Sequence, residues 1–503
     1  MIEHLNAKAF PEAAKDALGD QALRGALKNA MGVFAGRRVA MKATMPDWEE
    51  LREAGRAVKE EALANLDGLL EEFERNVVAN GGTVHWARTG EEACAIVAEL
   101  ARERGARRMV KSKSMTTEEI GLNHVLEAQP DIGDGTPPVE TDLGEWIIQL
   151  AGELPSHIIA PAIHKSRGEI GRLFVDKLKI PETDDPAELT AIARERLRRY
   201  FAEADMGISG VNFGVAETGS ILVLENEGNA RMTTTLPRVH VAMMGIEKVV
   251  PRFEDLALFL RLLPRSGTGQ HLTSYQSILT GVQRADEHGA HDTRQGPEEL
   301  HVVLLDNGRS QILADDAMRQ SLACIRCGAC LNVCPVYKQV GGHAYGSVYP
   351  GPIGAIITPQ LGGLENADTL PYASSLCGAC GEVCPVKIDI PAVLLALRSR
   401  AAEGRALEGG DEKAARSLTK AGEHRAFRLW AWAMRSPRRY RLFSRLARHA
   451  PGSGSHTRQA GGLLGRLAPA LAAWTSSRDL GPVAKRSFRE LWDQELSDGG
   501  KRS

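Results

Sequence analysis

Seven of the chain's eight cysteines fall in one stretch, as Cys324, Cys327, Cys330 and Cys334 and then Cys377, Cys380 and Cys384, with proline after Cys334 and after Cys384. Three thiolates spaced three residues apart on a tight loop can cap three corners of an iron–sulfur cubane, while a fourth, placed before proline, is carried to a neighbouring cluster. Crossed ligand sets are therefore expected: Cys324, Cys327, Cys330 and Cys384 for a first 4Fe-4S cluster, and Cys334, Cys377 and Cys380 for a second. The second set is one thiolate short. Aligning Cys377 and Cys380 with Cys327 and Cys330 puts Ser374 at the missing corner. A serine oxygen, a water or an empty corner, with a three-iron form among the outcomes, are the open ways to complete it. Zinc also takes paired Cys-x-x-Cys motifs, but a tetrahedral zinc site needs neither the third x-x-spaced cysteine nor the Cys-Pro ends. Cys94 sits on the apolar face of a helical pattern and reads as core.

Other residues could do chemistry of a different kind. Glycines in Glu217-Thr218-Gly219-Ser220 and Asn226-Glu227-Gly228-Asn229 let backbone N–H groups approach an anion, and Lys165, Arg167 and Arg231 could neutralise a carboxylate or phosphate. The same acids and amides serve equally well to satisfy turn backbones, and Arg231 to pair with a local acid. His164 and His240 lie among apolar strand-like residues, where histidine is more often a hydrogen-bonded core residue than a base.

These groups need a scaffold, and its pattern alternates. Apolar residues three and four apart predict one long helix from about Pro46 to Ala79, stopped by Asn80-Gly81-Gly82. A strand at Thr83–Ala87, a helix over about 90–104, a strand near 108–110 and a helix from about Thr117 follow. Further strand-like runs occur at 139–141, 158–160, 219–224, 239–244 and 302–305. Such alternation predicts a parallel sheet covered by helices, so the expected organisation is an N-terminal segment (1–45), an α/β domain (46–310), an all-α two-cluster ferredoxin-like domain (311–400) and a basic helical C-terminal region (401–503). The Gly/Pro/Tyr-rich insert 341–354 cannot be a continuous helix and reads as an ordered loop over the clusters, either a connector or a docking surface. In the C-terminal region Arg416, Lys420, Arg425, Arg428, Arg435, Arg438, Arg439, Arg441, Arg445 and Arg448 are interleaved with aromatic and aliphatic residues. That composition fits an anionic membrane surface or a partner protein. Residues 451–477 read as a flexible linker.

A formal net charge of −2 gives no electrostatic case for nucleic acid. No apolar run is long enough to span a membrane, and the N-terminus lacks an export pattern, so a reducing cytoplasm is expected, with peripheral contact at the inner membrane face as the alternative the basic helix allows.

The segments Glu140–Leu150, His157–Lys165, Ala216–Ser220, Asn226–Arg231 and Gly245–Lys248, followed by the two cysteine motifs and a terminal Phe-Arg-Glu-Leu-Trp, resemble the B-type lactate-utilisation iron–sulfur proteins of bacteria over nearly the whole chain. The resemblance implies a LUD α/β domain of the glucosamine-phosphate isomerase, ribose-phosphate isomerase and CoA-transferase type fused to a two-cluster helical domain. It also implies work beside A-type and C-type subunits in oxidising L-lactate to pyruvate, with an electron acceptor the sequence does not name. Removing two electrons from a 2-hydroxy acid needs a group that splits the pair, and Gly267-Thr268-Gly269 lacks the third glycine of a dinucleotide fingerprint. An electron conduit is the expectation. Two others stay open: an acyl- or CoA-transferase using Glu225 or Glu227 as nucleophile, and an assembly protein with structural clusters.

Overall fold

A computed structural model of the protein describes residues 6–282, 296–404, 421–448, 484 and 486–492. Among them, six strands form an all-parallel sheet: β1 (Thr83–Ala87), β2 (Met109–Lys111), β3 (Val139–Glu140), β4 (Met206–Gly210), β7 (Val239–Gly245) and β10 (Glu299–Leu305), in the order β1-β10-β7-β4-β2-β3. The central strand β7 is buried throughout, as its largely apolar sequence, interrupted only by His240, requires of a strand covered on both faces. Alternation along the strands divides the packing. Val241, Met243, Val303 and Leu305 meet the helix Gly90–Glu103, whereas Ala242, Met244, Val302 and Leu304 meet the helix Leu66–Ala79. Cys94 is buried in the first of these layers, as expected, with its thiol on the Ile120 carbonyl.

Several expectations change. The predicted long helix is two, Trp48–Ala64 and Leu66–Ala79, because the Asn65 side chain takes the Glu61 carbonyl and turns the backbone out of helix. The run 219–224 does not join the parallel sheet. Gly219, at φ 66°, closes a hairpin between β5 (Phe213–Val215) and β6 (Ser220–Glu225), and with β8 (Val249–Val250) and β9 (Tyr275–Leu279) these make a second, four-stranded sheet. Ile158–Ala160 is no strand: the Ser156 N–H bonds the Pro161 carbonyl across a tight loop, and Ile158 fills the core beneath the cysteine motifs. The insert 341–354 is ordered as expected, but it is buried rather than laid over the surface. Tyr345 and Tyr349 lie in the interior, and from Gly351 the chain is helical to Leu361, with Pro352 in the first turn, where its missing N–H costs nothing.

The N-terminal segment is also helical, Phe10–Gly19 and Gln21–Ala43. Leu27 and Met31 share one core with Tyr337, Val340 and the cysteine motifs. The described residues up to 404 form one compact unit, and those from 421 belong to another. In the second unit the basic region is two helices, Ala421–Met434 and Pro437–Arg448, with a capped turn at Phe488–Leu491. Arg416, Lys420 and the expected linker 451–477 lie outside the described residues. No described helix is long and apolar enough to cross a membrane.

Candidate iron–sulfur centre

Each cysteine motif folds into the same local shape. A glycine in the left-handed region, Gly328 at φ 73° or Gly378 at φ 83°, opens a five-residue helix, Ala329–Val333 or Ala379–Val383. Each helix ends on a cysteine in extended backbone, Cys334 at φ −67°, ψ 121° and Cys384 at φ −62°, ψ 120°. The proline that follows cannot continue a helix ladder, so the last thiol of each motif swings away from the first three.

That swing brings the thiols together in two crossed sets. Cys324, Cys327, Cys330 and Cys384 line a single small cavity, walled by Ile325, Ile353, Val386, Ile388 and Ile390. Burial raises the Cys330 thiol well above its ordinary value, and the proximity of Cys324, Cys327 and Cys384 raises it further. Cys380 is pushed up to about 11 by burial and then by Cys334, with Cys377 adding to it. Cys334 is raised by burial and, less, by Cys377. Cys384 of the second motif thus lies with the first three thiols, and Cys334 of the first motif lies near Cys377 and Cys380. A buried quartet of sulfur donors in a largely apolar wall, with Arg326 beside Cys324, suits a cationic iron–sulfur core. Backbone N–H groups aim at the sulfurs from Arg326 to Cys324 at 3.4 Å, Tyr337 to Cys334 at 3.4 Å and Ile388 to Cys384 at 3.3 Å. Cys377 is exposed, unlike the buried Cys334 and Cys380 of its group.

The rest of the chain grips these loops. Arg52 donates to the Cys384 carbonyl at 2.9 Å and Arg38 to the Val383 carbonyl at 3.2 Å, both from N-terminal helices. Asn332 donates to the Gly267 carbonyl at 2.8 Å. Gly267 therefore packs against the first motif, where a side chain would meet the Cys327 carbonyl, and not in a dinucleotide turn.

The expected anion loops are only partly assembled. A cavity of about 270 Å³ opens at the carboxyl ends of β2 and β4 and is lined by Asn226, Glu227 and Asn229, but its cations are Lys113, Lys248 and Arg326. Lys165 instead pairs with Glu153 at 2.6 Å, and Arg167 and Arg231 point to solvent. Glu217 accepts the Phe253 N–H, and both Glu225 oxygens accept N–H groups of Ala230 and Arg231, so each satisfies local backbone. Glu227 accepts from the Leu143 N–H at 3.0 Å and is pushed up to about 7 by burial and then by Asp142. His164 bonds Glu153 at 2.7 Å, and buried His240 bonds Ser209 at 2.8 Å with its pKa lowered to about 3 by burial, which leaves it neutral. Sequence reasoning missed Lys113, Lys248 and Arg326 because their convergence depends on packing across the cysteine motif, although Arg326 inside Cys-Ile-Arg-Cys was the one visible signal.

Residues 70–305 match the family model of the LUD domain, 320–388 that of a 4Fe-4S dicluster domain, and 396–497 that of the lactate utilisation protein B C-terminal region. A lactate utilization protein B from Bacillus cytotoxicus is 41% identical over 99% of this chain and 100% of its own length. The chain belongs to the lactate utilization protein B family. Members from Bacillus thuringiensis and Bacillus anthracis are 40% identical over the same shares. A DUF162 family protein structure from Deinococcus radiodurans, matched over 48% of this chain and 98% of its own at 14% identity, has a TM-score of only 0.25, too low to bear on the fold. The dicluster match spans all seven clustered cysteines, and the LUD match covers both the parallel sheet and the second sheet.

Proposed function

We propose that the chain is the electron conduit of a lactate-oxidising assembly, with Cys324, Cys327, Cys330 and Cys384 holding one cluster and Cys334, Cys377 and Cys380 the other. It is an iron–sulfur electron-transfer protein of lactate utilisation, a subunit rather than an autonomous enzyme. The observation that carries the ligand assignment is the gathering of Cys384 with the first motif and of Cys334 with the second. When bound, such clusters accept and release electrons singly. The chain's own residues bury the first set behind isoleucines, aim N–H donors at sulfur and leave Cys377 at the surface, which makes the second set the exit toward a partner.

The partners fitting this reading are A-type and C-type lactate-utilisation proteins, together with an electron acceptor of undetermined identity. The six-stranded parallel sheet supports the isomerase and CoA-transferase type of α/β domain. The exposed Phe427, Trp430, Arg438 and Arg441 support either docking to a partner or peripheral contact with an anionic inner membrane face on the cytoplasmic side. Anaerobic EPR before and after dithionite, with iron and acid-labile sulfide quantified, then with L-lactate and the A-type and C-type proteins, tests the proposal. Two interacting clusters that lactate reduces only with partners present support it. Zinc without sulfide, or clusters indifferent to lactate under every condition, would sink it.

A further inference from the structure

The two motifs are related by a pseudo-repeat that includes the residue where the second lacks a cysteine. In the first, the residue two past Cys324, Arg326, is left-handed at φ 60° and its N–H points at the Cys324 sulfur at 3.4 Å. In the second, the residue two past Ser374, Leu376, is left-handed at φ 55° and its N–H points at the Ser374 hydroxyl oxygen at 3.1 Å. Both residues have a β-carbon, so this backbone is sterically costly and is held by its surroundings. Arg398 supplies that hold, donating to the Ser374 carbonyl at 2.9 Å and the Pro371 carbonyl at 2.8 Å, while its guanidinium stacks on the Tyr372 ring. The geometry points to Ser374 Oγ as the fourth ligand of the second cluster, a role that rests on the two-cluster reading above.

Oxygen is a harder donor than thiolate and favours the more oxidised iron, so the second cluster would have one corner that is more easily lost and a lower potential than an all-cysteine site. The test is Mössbauer and EPR spectroscopy of anaerobically purified holoprotein carrying Ser374→Ala, Ser374→Cys or, as neighbour control, Ser375→Ala. Ser374→Ala is expected to lose one iron per chain and to show a three-iron signal. Ser374→Cys is expected to keep all its iron and to shift both the spectrum and the potential of the second cluster upward, and Ser375→Ala to match the parent. Full iron with a parental spectrum in Ser374→Ala overturns the assignment. Should that variant fail to assemble, a parental spectrum and potential in Ser374→Cys overturns it as well. If the seven cysteines prove not to hold two clusters at all, iron quantification of the parent shows it first.

A different observation carries a second inference. The cavity at the carboxyl ends of β2 and β4 reaches across to Arg326 and Cys327, so its occupant would lie against the first cluster. Its walls hold donors with nothing to bond, Ser112 Oγ and Arg326 Nη1, both buried and unpartnered, and the buried Lys248 adds a second cation to the lining. Open α/β sheets bind ligands in this crevice. At about 270 Å³ the space lies just below the roughly 300–1,000 Å³ range of small-molecule pockets, which suits a small metabolite and not a dinucleotide. We infer that it binds a short 2-hydroxy- or 2-oxo-carboxylate, with the cations on the carboxylate and Glu227 facing the oxygen next to it.

Isothermal titration of the anaerobic holoprotein with sodium L-lactate and sodium pyruvate, and with sodium phosphate for comparison, decides this. Saturable binding of either carboxylate is expected, weakened about tenfold, or about 1.4 kcal/mol, in Lys248→Met and less in Ser112→Ala, with the cluster spectrum of Ser112→Ala unchanged. No saturable carboxylate binding, tighter binding of phosphate, or parental affinity in both variants overturns the inference. Cluster reduction by lactate with partner subunits, if it persists without such binding, leaves the electron-transfer reading standing.

Discussion

The Arg326 guanidinium, set between Cys324 and Cys327, reaches the Glu247 carboxylate at 3.4 Å. Glu247 also accepts from Arg309 at 2.7 Å, and Arg309 forks onto Glu119 at 2.9 and 2.8 Å, where the Tyr349 hydroxyl donates at 2.7 Å. One buried chain of charge thus runs from the α/β sheet to the first cluster loop. Burial alone would raise the Glu247 carboxyl, but Arg309, Arg326 and Lys248 outweigh it and hold it down at about 2.

Glu247→Gln leaves two buried guanidinium groups short of a counter-charge. It is expected to destabilise the protein by about 3–5 kcal/mol, read by anaerobic denaturant unfolding, and to raise the potential of the first cluster, read by redox-poised EPR.

Crossed pairing predicts that damage appears away from the mutated motif. Cys384→Ala should remove the signal of the cluster built on the first motif, and Cys334→Ala that of the second. The reverse pattern in EPR would refute the crossing.

Stability should fall with rising pH through the Glu227 titration. Its folded pKa is about 7 against an ordinary 4.5, so between those values the folded chain binds the proton that the unfolded chain has released. The contribution is full below about 4.5 and lost above about 7. Melting temperatures across that window should decline more steeply for the parent than for Glu227→Gln.

A β-carbon at Gly342 would collide with the Ser156 carbonyl, which also accepts the Tyr337 hydroxyl at 2.6 Å. Gly342→Ala is expected to cost about 1–3 kcal/mol and to loosen the loop between the α/β sheet and the second half of the first motif, measured by unfolding and by hydrogen exchange at Tyr337.

Spacing alone located the cysteines, because cluster ligation is a local rule with an invariant offset. It placed most parallel strands too, since β7 and β10 carry apolar runs, Val241–Met244 and Val302–Leu305. What it missed depended on long-range packing. Ile158–Ala160 has the composition of a strand but is spent filling space beneath the cysteines, and the β5–β6 hairpin turns on Gly219, whose conformation no periodicity reports. Lys165, Arg167 and Arg231 are near the anion loops in sequence, whereas Lys113, Lys248 and Arg326 are near one another only once the sheet packs against the first cysteine motif.

The helix carrying Leu27 and Met31 finds its packing partner in Tyr337, about 310 residues later in the chain. At roughly 5–20 residues per second on the ribosome, that apolar face waits for the order of 15–60 s before its cover exists. During synthesis this face has no partner to pack on, and the cluster-bearing core cannot close until both ends of the compact unit have been made.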